Sequence, residues 1–380
     1  MQGFPPGEFL MEPGFMHFNT GTTGASPRAV IEATVEAMRR FESNPPSQAY
    51  RAAGGTLLQE AETARARIAA FLGATPDELL LTHGTSNAMN TIAQSLELQP
   101  GDRVLTTSLE HEGGLLCWRW LAERRGIELD VVPLDPDDID PRVILDKVAA
   151  VITSRTRVLS VSHVLAWTGL VMPIAELCAL ARERGVLSVI DGAQAVGQIP
   201  VDVAALGCDA YAGSGHKWLL GPKGTGMLVI RADASQRIAP IPWMQGKRRL
   251  NVDAMGIFPL PQVIGLGAAV ARVEGEGLAR VAAHGQRLRN RLHAELATLP
   301  GAQVVGPTPG PLACGLVACR LPAAVDVNAV RAHLLAREGI AIRAIDPKVF
   351  HGIRISTHVY NDDAQVDALL AALRREIGGA

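Results

Sequence analysis

The chain alternates short apolar segments with longer segments in which apolar residues recur at helical spacing. Short β-branched segments are typical of buried strands, and helical spacing is typical of helices that cover a sheet. The pattern predicts strands at 78–82, 103–107, 129–133, 157–163, 186–190, 210–213 and 226–230. It predicts helices at 27–41, 57–72, 86–96, 114–125, 143–150 and 173–184. This alternation indicates an α/β fold with a mostly parallel, helix-covered sheet, which binds ligands at the carboxyl ends of its strands.

The pattern changes after about Arg231. A proline-containing connection at 238–261 leads into a helical stretch at 263–299, which breaks near Glu276. The remaining elements are strands near 315–321, 341–345 and 352–356, and helices at 327–337 and 363–377. Such a mixture indicates a smaller α+β domain. We predict a large domain at 16–250 and a small C-terminal domain at 251–380 that also takes in residues 1–15.

Composition narrows the class of protein. The 380 residues suffice for two domains with a large core, and 48% hydrophobic with 19% charged residues is ordinary for an α/β protein. A net charge of −2 argues against a nucleic-acid or membrane-surface partner. The N-terminus lacks the pattern of a secretory signal, and the chain lacks an apolar stretch of about 18 residues, the length that spans a membrane.

The five cysteines are scattered and lack the spacing of a metal site. Cys117, Cys178 and Cys319 lie in apolar patterns, so we expect them to be small buried hydrophobes. An odd number of unpatterned cysteines is typical of a reducing compartment. We therefore expect a cytoplasmic protein without a metal.

The most informative chemistry lies around Lys217, in the segment SGHKW at 214–218. An apolar strand precedes it and ends at Asp191, with Gln194 just beyond. A lysine amine forms an aldimine with pyridoxal 5'-phosphate (PLP), and an aspartate beside the pyridine nitrogen keeps the ring protonated. The Gln194 amide is spaced to hydrogen-bond the cofactor's phenolic oxygen. These residues predict a PLP site in which Lys217 is the general base and acid at the substrate Cα.

With these residues in order and GPKGTG at 221–226, the chain resembles the class V aminotransferase branch of the fold-type I PLP enzymes, from about Phe18 to the final helix. This branch includes cysteine desulfurases, isopenicillin N epimerase and cystine C-S lyases. The resemblance implies a fold-type I transferase with a large and a small domain. It also implies a homodimer with its sites at the subunit interface.

The turn at 82–87 follows a strand and opens a helix, so its N–H groups and the positive helix end face an anion. Taken alone, the turn is equally typical of an ordinary helix cap. The resemblance implies that it binds the cofactor phosphate, and we assign that role to Gly84, Thr85 and Ser86.

Three further residues are expected to contact the cofactor because of their positions in the sequence. Ser214 and His216 precede the lysine closely and could donate to the phosphate, or His216 could only orient the turn. The family has a Glu-His pair after the next strand, whose histidine stacks on the pyridine ring. The resemblance therefore implies this role for His111, for which a simple helix cap is the alternative.

An arginine in the C-terminal part is expected to bind the substrate. Arg354 matches the family position that binds the α-carboxylate of an amino acid through two hydrogen bonds. Arg343 lies on the preceding strand and is expected to line the same cavity, as in the cystine lyases, or to lie at the surface. Asn19 belongs to an N-terminal loop that resembles the one bordering the substrate in this branch.

Two departures from the family bear on the reaction. A cysteine desulfurase needs a cysteine on the loop between the arginine strands, and the segment at 346–351 contains none. Desulfurases also have an asparagine where this chain has Ala166. We expect PLP-dependent β-elimination from a cysteine-derived amino acid, with transamination and epimerisation as alternatives. The complete lysine, aspartate and glutamine set argues against a nonenzymatic regulator.

In the family, a hydroxyl residue of the neighbouring subunit completes the phosphate site. The corresponding position here is Ile257, so Lys247 or Arg248 could serve instead. Trp243 and Met244 lie in the same stretch, which is expected to shape the pocket entrance.

Overall fold

The computed structural model of the chain describes residue 4 and residues 7–49, 56–238 and 258–378. The strands are β1 (Met16–His17), β2 (Leu79–Thr82), β3 (Arg103–Thr107), β4 (Glu128–Val132), β5 (Thr156–Ser162), β6 (Leu187–Asp191), β7 (Ala210–Ser214), β8 (Gly226–Ile230), β9 (Gln303–Val305), β10 (Leu316–Arg320), β11 (Ile340–Ala341), β12 (Arg343–Ala344) and β13 (Gly352–Ser356). The helices are α1 (Arg28–Ser43), α2 (Pro45–Ala49), α3 (Thr56–Phe71), α4 (Thr85–Gln94), α5 (Glu112–Arg125), α6 (Pro141–Val151), α7 (Ile174–Glu183), α8 (Val203–Leu206), α9 (Leu260–Glu276), α10 (Leu278–Leu296), α11 (Val327–Glu338) and α12 (Asp363–Gly378). Among these helices, none is long and apolar enough to cross a membrane.

The large sheet has the strand order β2-β8-β7-β6-β5-β3-β4. Its strands are parallel except β8, which runs antiparallel to both of its neighbours. Successive side chains enter two different cores: Leu79 and Leu81 pack on one face of the sheet, and Leu80 packs on the other. Such burial on both faces explains why these strands are almost wholly apolar. The predicted α/β fold is confirmed.

The small sheet is antiparallel, with the order β12-β13-β10-β9. Its core contains Val317 and Ile353 from the strands and Leu288 from α10. A separate parallel pair joins β1 to β11. The single strand predicted at 341–345 is wrong, because Ile342 separates two short strands that pair with different partners.

The other predicted strands and the helices before residue 200 lie within two residues of the observed bounds. The long predicted helix breaks at Gly277, whose φ of +82° favours glycine, and α9 begins a little earlier than expected. The prediction omitted β1, β9, α2 and α8, which are too short to show a period. Most of the connection at 238–261 lies outside the described residues, as do Trp243, Met244, Lys247, Arg248 and Ile257.

The hydrophobic cores divide the chain differently from the predicted boundary between 250 and 251. Val263 and Val270 of α9 belong to the larger core, where this helix packs on α1 and α3. Phe18, by contrast, belongs to the smaller core. We propose a boundary near Gly277 instead, with the N-terminal strand assigned to the small domain.

Candidate active site

Five separate segments meet at the carboxyl ends of the parallel strands around a cavity of about 190 Å³. The predicted residues that line it are Gly84, Thr85, Ser86, His111, Asp191, Gln194, Ser214, His216 and Lys217. The remaining lining residues are His83, Asn87, Gly113, Ser162, Ala166 and Ala193. The fold therefore brings together all the residues that the sequence predicts to bind a cofactor.

One end of the cavity is built from the N-terminus of α4. Gly84 has a φ of +149°, and a Cβ at this position would lie 3.1 Å from Cε1 of His216. The Thr85 hydroxyl lies 2.8 Å from that of Ser214, which ties the turn to the end of β7. Free N–H groups, hydroxyls and the helix dipole converge here, as an anion requires.

His216 lines this end of the cavity and is tied to the turn at 221–226. Its Nδ1 donates to the Thr225 carbonyl at 2.9 Å, so Nε2 of the neutral ring is an acceptor. Burial, Lys217 and Lys223 lower the pKa of His216, although the Thr225 carbonyl opposes this. The imidazole can therefore donate to a phosphate only when Nε2 is protonated, which the negative charge of the phosphate favours.

Asp191 ends β6 and turns its carboxylate into the cavity. Its Oδ1 accepts from the Ala193 N–H at 2.9 Å, and its Oδ2 would lie 2.8 Å from a Cβ at Gly114. Burial raises the pKa of Asp191, opposed by that N–H and by Lys217. No ion pair joins this carboxylate to a described residue. A buried carboxylate that lacks a cationic partner suits a cationic N–H such as that of a pyridinium ring.

Lys217 lies in the turn after β7, facing Asp191. Burial lowers the pKa of its amine to about 8, and Arg354 lowers it further, while Asp191 opposes the shift. Because its pKa lies close to neutral pH, the amine is readily available in its unprotonated form. That is the form that attacks an aldehyde or takes a proton from carbon.

His111 caps α5 and also lines the cavity. Its Nδ1 accepts from the Gly113 N–H at 3.0 Å, which leaves the proton of the neutral ring on Nε2. The ring stacks on Trp167 with centroids 5.7 Å apart. Burial, Lys217 and Arg354 lower the pKa of His111 to about 4. The histidine is therefore neutral at physiological pH.

Gln194 is buried, and both ends of its amide have protein partners. Nε2 donates to the Gly21 carbonyl at 2.9 Å, and Oε1 accepts from the Trp218 indole at 2.8 Å. A second Nε2 proton remains available for a further acceptor.

Arg354 lies just beyond the cavity, on β13. Its Nη1 donates to the Ala166 carbonyl at 3.0 Å, and its Nη2 donates to Asn19 and Thr22, both at 3.2 Å. Its Nε has no hydrogen-bond partner among the described residues, and none of their carboxylates forms an ion pair with it. Burial and Arg343 lower the pKa of this guanidinium to about 9. A buried cation without an anion suits a carboxylate ligand.

The other two predicted substrate residues lie beside Arg354. Arg343 of β12 is its direct cross-strand partner and is exposed to solvent. Asn19 contacts Arg354 through its side-chain oxygen, which also accepts from the Thr22 hydroxyl at 2.8 Å. Gly21 connects this group to the cavity, because a Cβ there would lie 2.9 Å from Gln194 Oε1 and 3.0 Å from Arg354 Nη2.

A buried acid, the glutamate of the Glu-His pair, lies next to the cavity, and the sequence motif alone did not indicate a role for it. Glu110 accepts from Thr107 at 2.8 Å and from the cavity residue Ser162 at 2.5 Å. Burial raises the pKa of Glu110 to about 7, partly offset by these two hydroxyls, while Asp191 raises it further. The alternating serines of β5 were the available signal, since small polar residues at the end of a buried strand indicate a site.

All five cysteines are buried and free, as expected for three of them from the sequence. Burial raises the pKa of Cys117 and Cys319 to about 12, so both thiols are protonated. The segment at 346–351, between the two arginine strands, lies in the described part of the chain and carries no thiol. A persulfide-forming cysteine is therefore missing from the loop that would present it.

The residues around the cavity fit PLP. The Gly84 turn offers an anion site, Lys217 offers an amine of low pKa, and Asp191 offers a buried carboxylate that lacks a cation. Gln194 and His111 line the space between these groups. Phosphate, aldehyde and pyridine nitrogen are the three functional groups of the cofactor that need such partners.

Comparison with known proteins agrees with this fit. The profile of the family described as aminotransferase class-V matches residues 16–369. Isopenicillin N epimerase of Amycolatopsis lactamdurans is 33% identical over 96% of each chain. A probable cysteine desulfurase of Pseudomonas aeruginosa is also 33% identical, over 98% of this chain and 96% of its own.

Two solved structures of the protein C-DES superpose with a TM-score of 0.86. One is the complex of this cystine C-S lyase with its reaction product cysteine persulfide; it is 26% identical and covers 94% of this chain and 97% of its own. The other is a mutant with glycine covalently linked to the PLP cofactor; it is 25% identical and covers 95% of this chain and 97% of its own. With the family profile spanning nearly the whole chain, the protein is a PLP-dependent enzyme of the class V aminotransferase family.

Proposed function

We propose that this enzyme is a C-S lyase that eliminates a sulfur leaving group from the Cβ of a cysteine-derived amino acid. The observation that carries the proposal is the cross-strand pair of Arg354 and Arg343. Arg354 suits the α-carboxylate, and the exposed Arg343 suits a second carboxylate further out. Cystine carries one carboxylate at each end, and the C-S lyase C-DES acts on cystine.

PLP, when bound, supplies the electron sink that stabilises negative charge at the substrate Cα. Lys217, Asp191 and Gln194 would hold it at its aldehyde, ring nitrogen and phenolic oxygen, and Gly84, Thr85, Ser86 and Ser214 would hold its phosphate. His111, neutral and fixed through Nδ1, would lie against the ring face and keep an Nε2 proton available.

The chemistry at the substrate would begin at Lys217. Its Nζ takes the Cα proton, and the Cβ–S bond then breaks with its electron pair leaving on sulfur. From cystine the leaving group is cysteine persulfide, the product named for C-DES. The remaining three-carbon fragment hydrolyses to pyruvate and ammonia. No protein thiol takes part, in keeping with the thiol-free segment at 346–351.

A second candidate is epimerisation of an amino acid. The 33% identity to isopenicillin N epimerase over 96% of each chain favours it. Proton removal at Cα is common to both reactions, and they differ in whether the proton returns to the opposite face or a Cβ substituent leaves. Transamination remains a third outcome of the same chemistry.

The deciding experiment mixes the PLP-loaded enzyme with cystine, cysteine sulfoxides and ordinary amino acids, while pyruvate, ammonia and the cofactor spectrum are followed. A C-S lyase releases pyruvate and ammonia and regains its starting spectrum. Exchange of the Cα hydrogen with loss of optical activity, without pyruvate, would instead establish an epimerase. Conversion to the pyridoxamine form, reversed by a keto acid, would establish an aminotransferase.

Two lysine variants make this experiment specific to the site. Lys217→Ala should abolish product formation and covalent cofactor retention after borohydride reduction. Lys223→Ala is the matched control, since Lys223 lies on the next turn and donates to Ser26 at 3.0 Å. Retained covalent labelling of Lys217→Ala would overturn the assignment of the lysine.

We also propose that the enzyme is a homodimer with its sites at the subunit interface. The support is the family membership. Sedimentation equilibrium of the loaded enzyme should give twice the chain mass. A fully active monomer would contradict the proposal.

A further inference from the structure

Trp218 follows Lys217 directly and is fully buried. Its indole N–H donates to Gln194 Oε1 at 2.8 Å, and its own carbonyl accepts from His358 Nε2 at 2.7 Å. Trp218 is thus hydrogen-bonded to His358 of the small domain and to Gln194, which lines the cavity.

The two partners of Gln194 force one orientation on its amide. An indole N–H can only donate, so it must meet Oε1, and the Gly21 carbonyl can only accept, so it must meet Nε2. Rotation of the amide by half a turn would set two donors against each other at Trp218 and two acceptors against each other at Gly21. Each mismatch leaves buried polar groups unpaired, which strongly disfavours the rotated amide.

Packing also limits the movement of the Gln194 side chain. Gly21 approaches so closely that a Cβ there would lie 2.9 Å from Oε1, and Gln194 itself is 3% exposed. The Gln194 carbonyl also accepts a hydrogen bond from Gln198. The backbone and the amide are therefore both held, and Trp218 provides one of the two bonds that distinguish the oxygen of the amide from its nitrogen.

We propose that Trp218 is a positioning residue for the cofactor: its indole N–H keeps Nε2, rather than Oε1, as the end of Gln194 that is free to meet the cofactor's phenolic oxygen. This rests on the proposed placement of Gln194 at that oxygen. An amide N–H stabilises the oxygen as its anion, whereas an amide oxygen would repel it. Trp218 thereby acts on the electronic state of the cofactor without touching the substrate.

The test compares the visible absorption band of the PLP-loaded enzyme over a range of pH in four proteins: wild type, Trp218→Phe, Gln194→Leu and the double variant. Loss of a hydrogen bond to the phenolic oxygen should raise the pH at which the band changes by about one unit in Gln194→Leu, since one unit corresponds to a bond of ordinary strength to a charged group. Trp218→Phe keeps an aromatic ring and lacks the N–H. It should shift the transition in the same direction by about half as much.

The double variant decides whether Trp218 acts through Gln194. The proposal expects Gln194→Leu and the double variant to share one transition. Two results would overturn the proposal. In the first, Trp218→Phe shifts the transition pH equally in wild type and in Gln194→Leu. In the second, Gln194→Leu shifts the transition pH and Trp218→Phe does not. An unshifted Gln194→Leu would overturn the placement of Gln194 together with the inference built on it.

A second replacement covers the case in which Trp218→Phe does not fold, since it removes part of a buried side chain. Site-specific exchange of the Trp218 indole for a benzothiophene keeps both fused rings and deletes only the N–H. The same shift is expected from this protein. A spectrum identical to that of wild type would contradict the role of the N–H.

Discussion

Burial shifts the pKa values of three ionisable residues that line the cavity. It lowers the pKa of Lys217 to about 8 and that of His111 to about 4, and it raises the pKa of Asp191. Each shift favours the uncharged form, because water is excluded from these groups. A neutral amine and a neutral imidazole are the forms that can exchange protons with a substrate. The pKa values of these residues therefore depend on their burial as well as on their residue type.

The two arginines should differ in their effects on substrates. Arg354→Lys removes the forked donor of a buried site and should lower kcat/KM by about 100-fold for every amino acid, since a hydrogen bond to a charged group contributes about 1.5–3 kcal/mol. Arg343→Ala should lower kcat/KM about tenfold for cystine and less than about threefold for substrates with one carboxylate. Steady-state kinetics with both classes measures this. Equal losses for both classes in Arg343→Ala would contradict its contact with a second carboxylate.

Glu110 should make stability depend on pH. Its pKa is raised from 4.5 to about 7, so the folded protein holds a proton that the unfolded chain releases in this range. Stability therefore falls as pH rises from about 4.5 to about 7, by about 3 kcal/mol for this group. Glu110→Gln, which mimics the protonated acid, should remove that loss. The measurement is the free energy of urea unfolding of the cofactor-free protein at pH 5 and pH 8.

Glu112→Gln provides the control for this comparison. Glu112 is exposed on α5, where it pairs with Arg119 at 2.5 Å. An exposed pair of this kind contributes little to stability, so the variant should keep the wild-type difference between the two pH values. If Glu110→Gln also keeps that difference, the buried acid is ionised in the folded protein and the predicted shift is wrong.

At the scale of elements, the site depends on how closely helices and turns approach the strand ends. The N-terminal part of α5 passes Asp191 so closely that Gly114 has no room for a side chain. The Gly84 turn approaches His216 in the same way. These contacts join elements far apart in sequence, so the geometry of the site is a property of packing rather than of any single motif.

Gly114→Ala should weaken cofactor binding without destabilising the fold. Alanine within a helix stabilises by about 0.5–1 kcal/mol relative to glycine, yet its Cβ would lie 2.8 Å from Asp191 Oδ2 and displace the carboxylate. We expect the dissociation constant for PLP to rise about tenfold, or about 1.4 kcal/mol, without loss of helix content. Equilibrium dialysis and circular dichroism measure the two quantities.

Gly275→Ala is the matched control, because a Cβ at Gly275 of α9 would meet nothing within 4 Å. It should leave PLP affinity unchanged. An unchanged affinity in Gly114→Ala as well would mean that Asp191 accommodates the methyl group and that the close approach has no role in binding.

At the scale of the whole molecule, the turn after the lysine is held by residues of the small domain and the N-terminal segment. His358 donates to Trp218, and its ring packs against Tyr360 with centroids 5.8 Å apart. Tyr360 in turn bonds Thr20 of the N-terminal loop. Separation of the two domains would therefore disturb the cofactor site as well as the substrate site.

This arrangement should make the protein sensitive to acid. Burial lowers the pKa of His358 from 6.5 to about 4, although its bond to Trp218 opposes the shift. The stability that a neutral His358 provides is complete above about pH 6.5 and is lost as pH falls toward 4, by about 3 kcal/mol. His358→Gln keeps a donor for Trp218 and cannot titrate. Unfolding of the cofactor-free protein between pH 7.5 and 4.5 should show a smaller loss for this variant.

The difference between the two proteins at pH 7.5 reports altered packing alone and is subtracted. Parallel curves over the whole range would mean that His358 does not resist protonation in the folded protein, and the predicted acid sensitivity would have to come from other groups.

The sequence alone determined the order of elements and the cofactor chemistry. Periodicity located the strands of the large sheet within two residues because strands buried on both faces must be apolar. The residues that we propose to bind PLP lie in short motifs at strand ends, where local geometry places them reliably. Strands too short to carry a period, such as β1 and β9, could not be predicted in this way.

Only the tertiary structure decided what the surroundings do to those residues. The orientation of Gln194 depends on Trp218 and Gly21, and the raised pKa of Glu110 depends on its burial. The contact of Arg354 with Asn19 joins residues from opposite ends of the chain. Hydrogen-bond partners and burial are set by long-range packing, which a linear pattern does not contain; the motifs therefore indicated the cofactor, and the fold determined how each residue meets it.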